Sequence, residues 1–392
     1  MDEYPAGPAS PGPWRHSLSV VIPVHNGGPA FERCLQGLRN SSRADFECVV
    51  VDDGSTDGSG ALAERFGARV LRHERALGPA AARNAGALAA AHPLVFFLDA
   101  DVAVHPDTIE QALRRFAADP DLAGLFGSYD DRPAAPGWVS QFRNLLHHHV
   151  HQTGPFVDDA RPVRTFWTGC GFIRRETFLG LGGFDPLRFQ RPAIEDIELG
   201  YRVARAGLRL ILARDVQATH LKRWTLPDVV RTDIFRRGVP WMLLMKRSRV
   251  AETDLNVARS QQACVAATGL GAIGLIAAAR WPVCGLMVPA SMATLVGLNL
   301  AFYRFLARTK GAAFAASAVL LHLVYYACCG ASVVIALLIW HLAPRHRLES
   351  PAAIAGHRLD PGADPGTTAA AAPHRPTVGS WPTTTRGGRG EG

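Results

Sequence analysis

Apolar positions along this chain fall into two regimes. Up to about residue 224, short apolar runs alternate with stretches of mixed, helix-period character; beyond residue 262 the apolar runs lengthen and almost lose charge. In the first regime, residues 18–24, 46–51, 68–73, 94–101, 122–129 and 208–212 read as strands, rich in β-branched and aromatic residues and bounded by turn formers. Residues 29–39, 78–92, a stretch beginning near Pro106 and residues 194–202 read as helices between them. Such β-α alternation predicts an α/β fold with a mostly parallel sheet flanked by helices.

The second regime begins with residues 226–249, where Val229, Phe235, Trp241 and Leu244 mix with Arg231, Arg236, Arg237, Lys246 and Arg247, the composition of a helix lying in a membrane interface. Residues 263–279 carry no charge, a second apolar run covers 283–303 and a third 312–342. A spanning helix needs about 20 apolar residues, so about three transmembrane helices are expected. If the first two form a hairpin, the basic flanks 246–249 and 304–310 share a side. The positive-inside bias makes that side cytoplasmic, with the N-terminal domain, in a multi-pass inner-membrane protein. The expected organisation is a disordered leader (1–16), an α/β domain (17–225), amphipathic interfacial helices (226–260), a transmembrane region (261–342) and a disordered tail (343–392).

Charge and cysteine usage narrow the picture. The net charge of +8 comes from 42 basic against 34 acidic residues. Much of the arginine surplus lies near the apolar region and in the tail, which suits anionic lipid or phosphate. No stripe of alternating aromatic and basic residues suggests a nucleic-acid partner. The seven cysteines form no CxxC pair and read as reduced, buried thiols. Residues 1–16 lack the basic-then-apolar pattern of a signal peptide, so the N-terminal domain is expected in a reducing cytoplasm. The turn after the first strand, His25-Asn26-Gly27-Gly28, is not GxGxxG, and no GxxxxGK[ST] occurs. A dinucleotide fold and a P-loop ATPase are thereby disfavoured.

Candidate chemistry clusters at strand ends. The run 94–98 stops at Asp99-Ala100-Asp101, and on an extended backbone residues two apart face the same way. Both acids would look past the C-terminal edge of the sheet, where ligands of open α/β sheets bind. Convergent carboxylates suit a hard divalent cation bridging to phosphate, though a solvated loop would also carry them. The second strand ends in Asp52-Asp53-Gly54-Ser55-Thr56-Asp57, a capped turn whose extra acid could accept hydrogen bonds from a base or ribose. Arg83, in an alanine-rich helix, would pair either with phosphates or with the Asp52/Asp53 cluster. Glu195-Asp196 opens a helix whose dipole favours acids, and Asp196 could instead act as a general base. Gly169, in Trp167-Thr168-Gly169-Cys170-Gly171-Phe172, suggests backbone approaching a ligand. His220-Leu221-Lys222-Arg223-Trp224 offers a metal ligand, two phosphate-facing cations and a ring to stack on a sugar. Of the four histidines within 147–151, only His147 and His151 share a helical face, and a surface near substrate phosphates suits them better than metal binding.

Together these segments resemble the family-2 glycosyltransferases, inverting enzymes with a nucleotide-sugar-binding fold of the GT-A type. The likeness covers residues 17–224, and the apolar region is similar to that of integral-membrane members. Residues 20–26 (VVIPVHN) look like the family's first strand, 51–57 (VDDGSTD) its nucleotide motif, 99–101 its D-x-D motif and 195–196 its Glu-Asp pair. The resemblance implies that Pro23, His25, Asp53, Arg83 and Asp99 serve the nucleotide sugar. It implies Asp101, with His220, as ligands of Mg²⁺ or Mn²⁺, Asp196 as base beside Glu195, and Gly169 and Trp224 on the acceptor side. The implied reaction is one displacement from a nucleotide-diphosphate sugar to a hydroxyl of a lipid or lipid-linked glycan. Processive members carry Gln-x-x-Arg-Trp; here only Arg223-Trp224 of that motif remains, which favours a single transfer. A hydrolase would want two carboxylates flanking the bond. The rival readings are an inactive membrane scaffold and a nucleotidyltransferase, although the latter's cation-bearing loop is missing after the first strand.

Overall fold

The computed structural model describes residues 18–248 and 257–342; the expected leader and tail lie outside them. Strands β1 (Leu18–Val24), β2 (Glu47–Asp53), β3 (Arg69–His73), β4 (Leu94–Leu98), β5 (Val102–Val104), β6 (Leu122–Tyr129), β7 (Ala160–Val163), β8 (Cys170–Arg174) and β9 (Arg209–His220) form one mixed sheet. Its order is β3-β2-β1-β4-β8-β6-β9-β5, with β7 on β9. The half that carries the acidic strand ends, β3-β2-β1-β4, is wholly parallel. Beyond it β8 runs antiparallel to both β4 and β6, while β6 and β9 run parallel.

Helices cover both faces, which is why the strands read as nearly unbroken apolar runs. On one side Val20, Ile22 and Val24 of β1 and Phe96 and Leu98 of β4 pack against α1 (Gly28–Arg39), α2 (Ser59–Arg65) and α4 (Thr108–Ala118). On the other, Val21, Val95 and Phe97 meet α3 (Pro79–Ala89), α6 (Arg175–Gly180) and α7 (Glu195–Arg205). Alternate residues thus feed two cores, as the two-residue period of a strand requires. Phe96 stacks on Phe172 of β8 with ring centres 3.9 Å apart, and Phe97 meets Phe178 and Phe184 edge-on or tilted. Because α1 leads from β1 out to β2 on one face while α3 leads from β3 back to β4 on the other, the crevice beyond the C-terminal ends of β1 and β4 is the topological switch point of the sheet.

The expected strand at 208–212 extends to His220, since β6, β7 and β5 supply partners along its whole length. α5 (Trp138–Gln152) then carries the domain to its apolar partners. After β9 come α8 (Leu226–Arg231), a π-helical segment Thr232–Gly238 and α9 (Val239–Ser248). Then follow α10 (Arg259–Ala277), a short 3-10 turn, α11 (Met287–Leu298), α12 (Leu300–Lys310) and α13 (Ala312–Leu342).

Among the described residues α10 and α13 are long and apolar enough to cross a membrane. The second expected span is broken: α11 and α12 meet at a 68° bend, so a third span exists only if the bent pair acts as one. Asn299 sits at the break, donating to the Leu295 carbonyl and accepting from the Tyr326 hydroxyl. The apolar helices do not stand apart from the sheet domain. Phe142, Leu145 and Leu146 of α5 share a buried cluster with Phe302, Leu306 and Tyr326. Gly238 touches α13 so closely that a β-carbon there would sit 2.2 Å from the Ser332 hydroxyl.

Candidate active site

The end of β2 turns Asp53 inward. Its carboxylate accepts from His73 Nδ1 at 2.6 Å, from the Leu77 amide at 2.9 Å and from the Gly78 amide at 2.8 Å. Burial alone would raise its pKa; the His73 bond and the two amides outweigh that and hold it below the usual carboxylate range. The loop it grips leads directly into α3. Gly78 adopts φ +95°, and a β-carbon there would lie 2.2 Å from the Gln190 carbonyl oxygen, so only glycine fits. His25, just past β1 and exposed, has Nδ1 2.8 Å from the Asp53 carbonyl oxygen. Pro23 is paired in register with Val51, one strand over. Asp52 turns instead to the Ser55 amide at 2.9 Å.

Arg83 ties two motifs together. Its buried guanidinium donates to Asp99 Oδ1 at 2.7 Å and to Glu195 Oε1 at 2.8 Å. Neither Asp52 nor Asp53 is its hydrogen-bond partner, so that alternative from the sequence is set aside. Burial works against the charge, but Asp99 and Glu195 more than compensate and push the arginine's pKa up. Glu195 is fully engaged, its Oε2 accepting from the Ala193 amide at 2.9 Å. It therefore braces the start of α7 rather than facing the open crevice.

Asp101 lies on the other flank of Asp99. β5 pairs with β9 in the register Val102↔His220, which brings His220 Nε2 to 3.7 Å from Asp101 Oδ2. The Asn144 side-chain oxygen accepts from His220 Nδ1 at 2.6 Å, which leaves Nε2 turned toward Asp101. His220 is clamped against Tyr129, ring centres 4.3 Å apart and planes nearly parallel. Burial would raise Asp101, yet His220 and then Lys222 hold its pKa down.

Asp196 shows the opposite behaviour. Desolvation first, then the adjacent Glu195 charge, push its pKa up to about 7. Its Oδ1 accepts from the Ile197 amide at 2.8 Å and its Oδ2 from the Thr168 amide at a long 3.4 Å. Thr168 precedes Gly169, whose own close neighbour is the Trp167 ring, 2.3 Å from where a β-carbon would be. That glycine thus admits an indole. Trp224 sits at the edge of the group, its amide on Ser140 Oγ at 2.6 Å and Lys222 Nζ 4.3 Å over its ring.

The histidine run does something else than the sequence suggested. His151 is buried and His147 half-buried beneath Trp167, and desolvation drives His147 well below its ordinary range and His151 down to about 3. His148 and His149 stack on Phe305, and His149 also meets Phe302. These rings pack where α5 joins the sheet to α12, with His147 also at the wall of a cavity between α5 and the apolar helices. Sequence reasoning also passed over Asn144, which orients His220, and His73 and Thr168, which contact Asp53 and Asp196; only their place in the fold reveals them.

A mixed sheet whose β2 and β4 end in acids, with Arg83 joining Asp99 at the end of β4 to Glu195 at the start of α7, has the GT-A-type fold. Residues 19–181 match the model of glycosyl transferase family 2, and the chain carries a domain of that family. The chain is 31% identical over 235 residues to validoxylamine A glucosyltransferase of Streptomyces hygroscopicus subsp. jinggangensis, covering 52% of this chain and 56% of that one. It is 28% identical over 253 residues to pre-mycofactocin glycosyltransferase of Mycobacterium tuberculosis, covering 61% and 50%. It thus spans about half the length of these curated relatives. In fold it is similar to the mannosyltransferase PcManGT of Pyrobaculum calidifontis, solved with GDP-Man and Mn²⁺, at TM-score 0.50 and 20% identity over 80% of this chain and 86% of that one.

Proposed function

We propose that this protein transfers a sugar from a nucleoside-diphosphate sugar to a hydroxyl of a lipid or lipid-linked glycan, inverting the anomeric centre in one displacement. The observation that carries this reading is the Arg83 bridge. One buried guanidinium holds Asp99 beside Asp101 and Glu195 beside Asp196, so that donor-side and base-side carboxylates flank a single crevice. Asp53 and the Gly78 loop form the nucleotide end of that crevice. Pro23 and His25 form its floor beside β1, and Gly169 and Trp224 lie toward the acceptor.

The residues fit a divalent cation. Asp101 offers a carboxylate whose pKa is held down, and His220, its Nδ1–H given to Asn144, would offer Nε2 to a cation in place of a proton, the arrangement in which histidine ligands are normally oriented. Among the described residues no cluster of three or more His, Cys, Asp or Glu could enclose an ion, so the donor's phosphates must complete the shell. Mg²⁺ or Mn²⁺ held there would neutralise the departing diphosphate. Asp196, poised near neutrality, takes the proton of the acceptor hydroxyl as its oxygen attacks the anomeric carbon. The bond to the diphosphate breaks with its electrons leaving on the nucleotide. No second carboxylate need protonate the leaving group.

A cavity of about 840 Å³ between α5, the π-helical segment, α9, α10 and α13 supports a lipid acceptor. Leu146, Trp241, Val265 and Tyr326 line it, and Arg237 at its wall interacts electrostatically with Asp196. The test is to incubate membranes holding the full chain with labelled nucleotide sugars and Mg²⁺ or Mn²⁺, then extract lipids. Sugar in the lipid fraction with nucleoside diphosphate released is expected. Pyrophosphate release would mark a nucleotidyltransferase, and absence of turnover with every donor a scaffold.

A further inference from the structure

The helical stretch from α8 to α9 has two working faces. Asp233, Arg237, Trp241 and Met245, four apart, line the cavity just described, whereas Arg231, Phe235, Val239, Leu243 and Arg247 line the other side. That second face and the loop 187–193 enclose a groove of about 880 Å³. Five arginines border it (188, 191, 231, 236 and 247), and no acid does. Among the described residues none of the five makes an ion pair. Elsewhere the domain pairs its arginines routinely, as in Arg43–Asp45, Arg115–Asp215, Arg202–Glu198 and Arg214–Asp159. Burial and the Arg188 charge pull Arg247 below its ordinary range, a sign of like charges left facing one another.

We propose that this groove holds the phosphoryl headgroup of an anionic phospholipid from the membrane that receives the apolar helices. Charge complementarity requires an anion, and the rim argues for a lipid. Leu187 is 77% exposed and Phe235 61%, apolar side chains that a soluble phosphate would not cover. Depth argues the same way. Lys246, adjacent to Arg247, lies 5.8 Å over the ring of Trp340, near the end of the apolar helix α13. A cation and an indole together mark the level of headgroups in a bilayer. The groove borders the loop that touches Gly78, so a lipid seated there would also steady the donor side of the crevice.

The experiment uses the full chain in neutral detergent, titrated with phosphatidylglycerol or phosphatidylcholine and read by native mass spectrometry and thermal melting. The wild-type protein is expected to retain phosphatidylglycerol in preference to phosphatidylcholine and to melt higher with it. An Arg188→Gln/Arg191→Gln/Arg236→Gln variant, checked for folding by circular dichroism, should lose about a hundredfold in that affinity, at roughly fivefold per surface arginine. Sedimentation of wild-type protein with phosphatidylglycerol vesicles should weaken as salt rises, a readout independent of the variant's folding. Equal retention of the two lipids, an unchanged variant, or displacement of the lipid by inorganic phosphate at matching concentration would overturn the proposal.

Discussion

Replacing Asp196 by asparagine separates its chemical role from its structural cost. Raising this carboxyl from 3.8 to about 7 corresponds to at most about 4 kcal/mol of disfavoured charge, roughly half that once solvent at a half-buried group is allowed for. The native state holds the proton where the unfolded chain has released it. The resulting stability is full below about pH 4 and is lost as pH rises through about 7. The amide of an Asp196→Asn variant neither titrates nor repels Glu195. The variant should therefore match the wild type near pH 4 and melt a few degrees higher above pH 7. Transfer should move the other way, falling by about 10²–10⁴-fold, the usual worth of a positioned general base. In the wild type kcat/KM should drop about tenfold for each pH unit below 7. Melting curves across pH, run beside a donor-turnover assay, give both readouts. Near-normal turnover, or melting curves that stay superimposed at every pH, would refute the reasoning.

Other predictions follow from the same geometry. Asp101→Ala should abolish the metal-dependent part of nucleotide binding in calorimetry, leaving a weak metal-independent component. Asn144→Ala, at a residue that touches His220 and no acid of the site, should weaken metal affinity by about 10–100-fold by freeing the His220 ring, measured as the Mn²⁺ concentration for half-maximal turnover. Glu195→Gln breaks a buried ion pair and should destabilise the fold by about 3–5 kcal/mol in denaturant melts. In material that remains folded, it should also shift the acid limb of kcat/KM to lower pH, since a like charge beside Asp196 is gone.

Strand β6 was legible to the residue, because an uncharged run buried on both faces announces itself locally. α13 was equally plain from its uncharged length. β5 and β7 were not, nor the extension of β9 to His220, because short strands take their identity from partners distant in the chain. That matters for the site, since the pairing Val102↔His220 is what brings the metal-side residues together. Arg83 was singled out as a cation in an apolar helix, yet its partners stand 16 and 112 residues away and nothing local names them. The histidine run misled for the opposite reason. Its composition suggested exposed chemistry, whereas the helix face, not the residue type, decided that His151 be buried and His147 tucked against Trp167. At Asn299, hydropathy averaging passed over a polar side chain that terminates one helix and turns the next.

The central claim is that one crevice holds donor, cation and base. It is tested most directly by a structure of the full chain with a nucleoside-diphosphate sugar and Mn²⁺. The account predicts the ion on Asp101 and His220, the nucleotide against the Gly78 loop and the anomeric carbon facing Asp196. A nucleotide bound elsewhere, or an ion away from Asp101 with the sugar turned from Asp196, would contradict it.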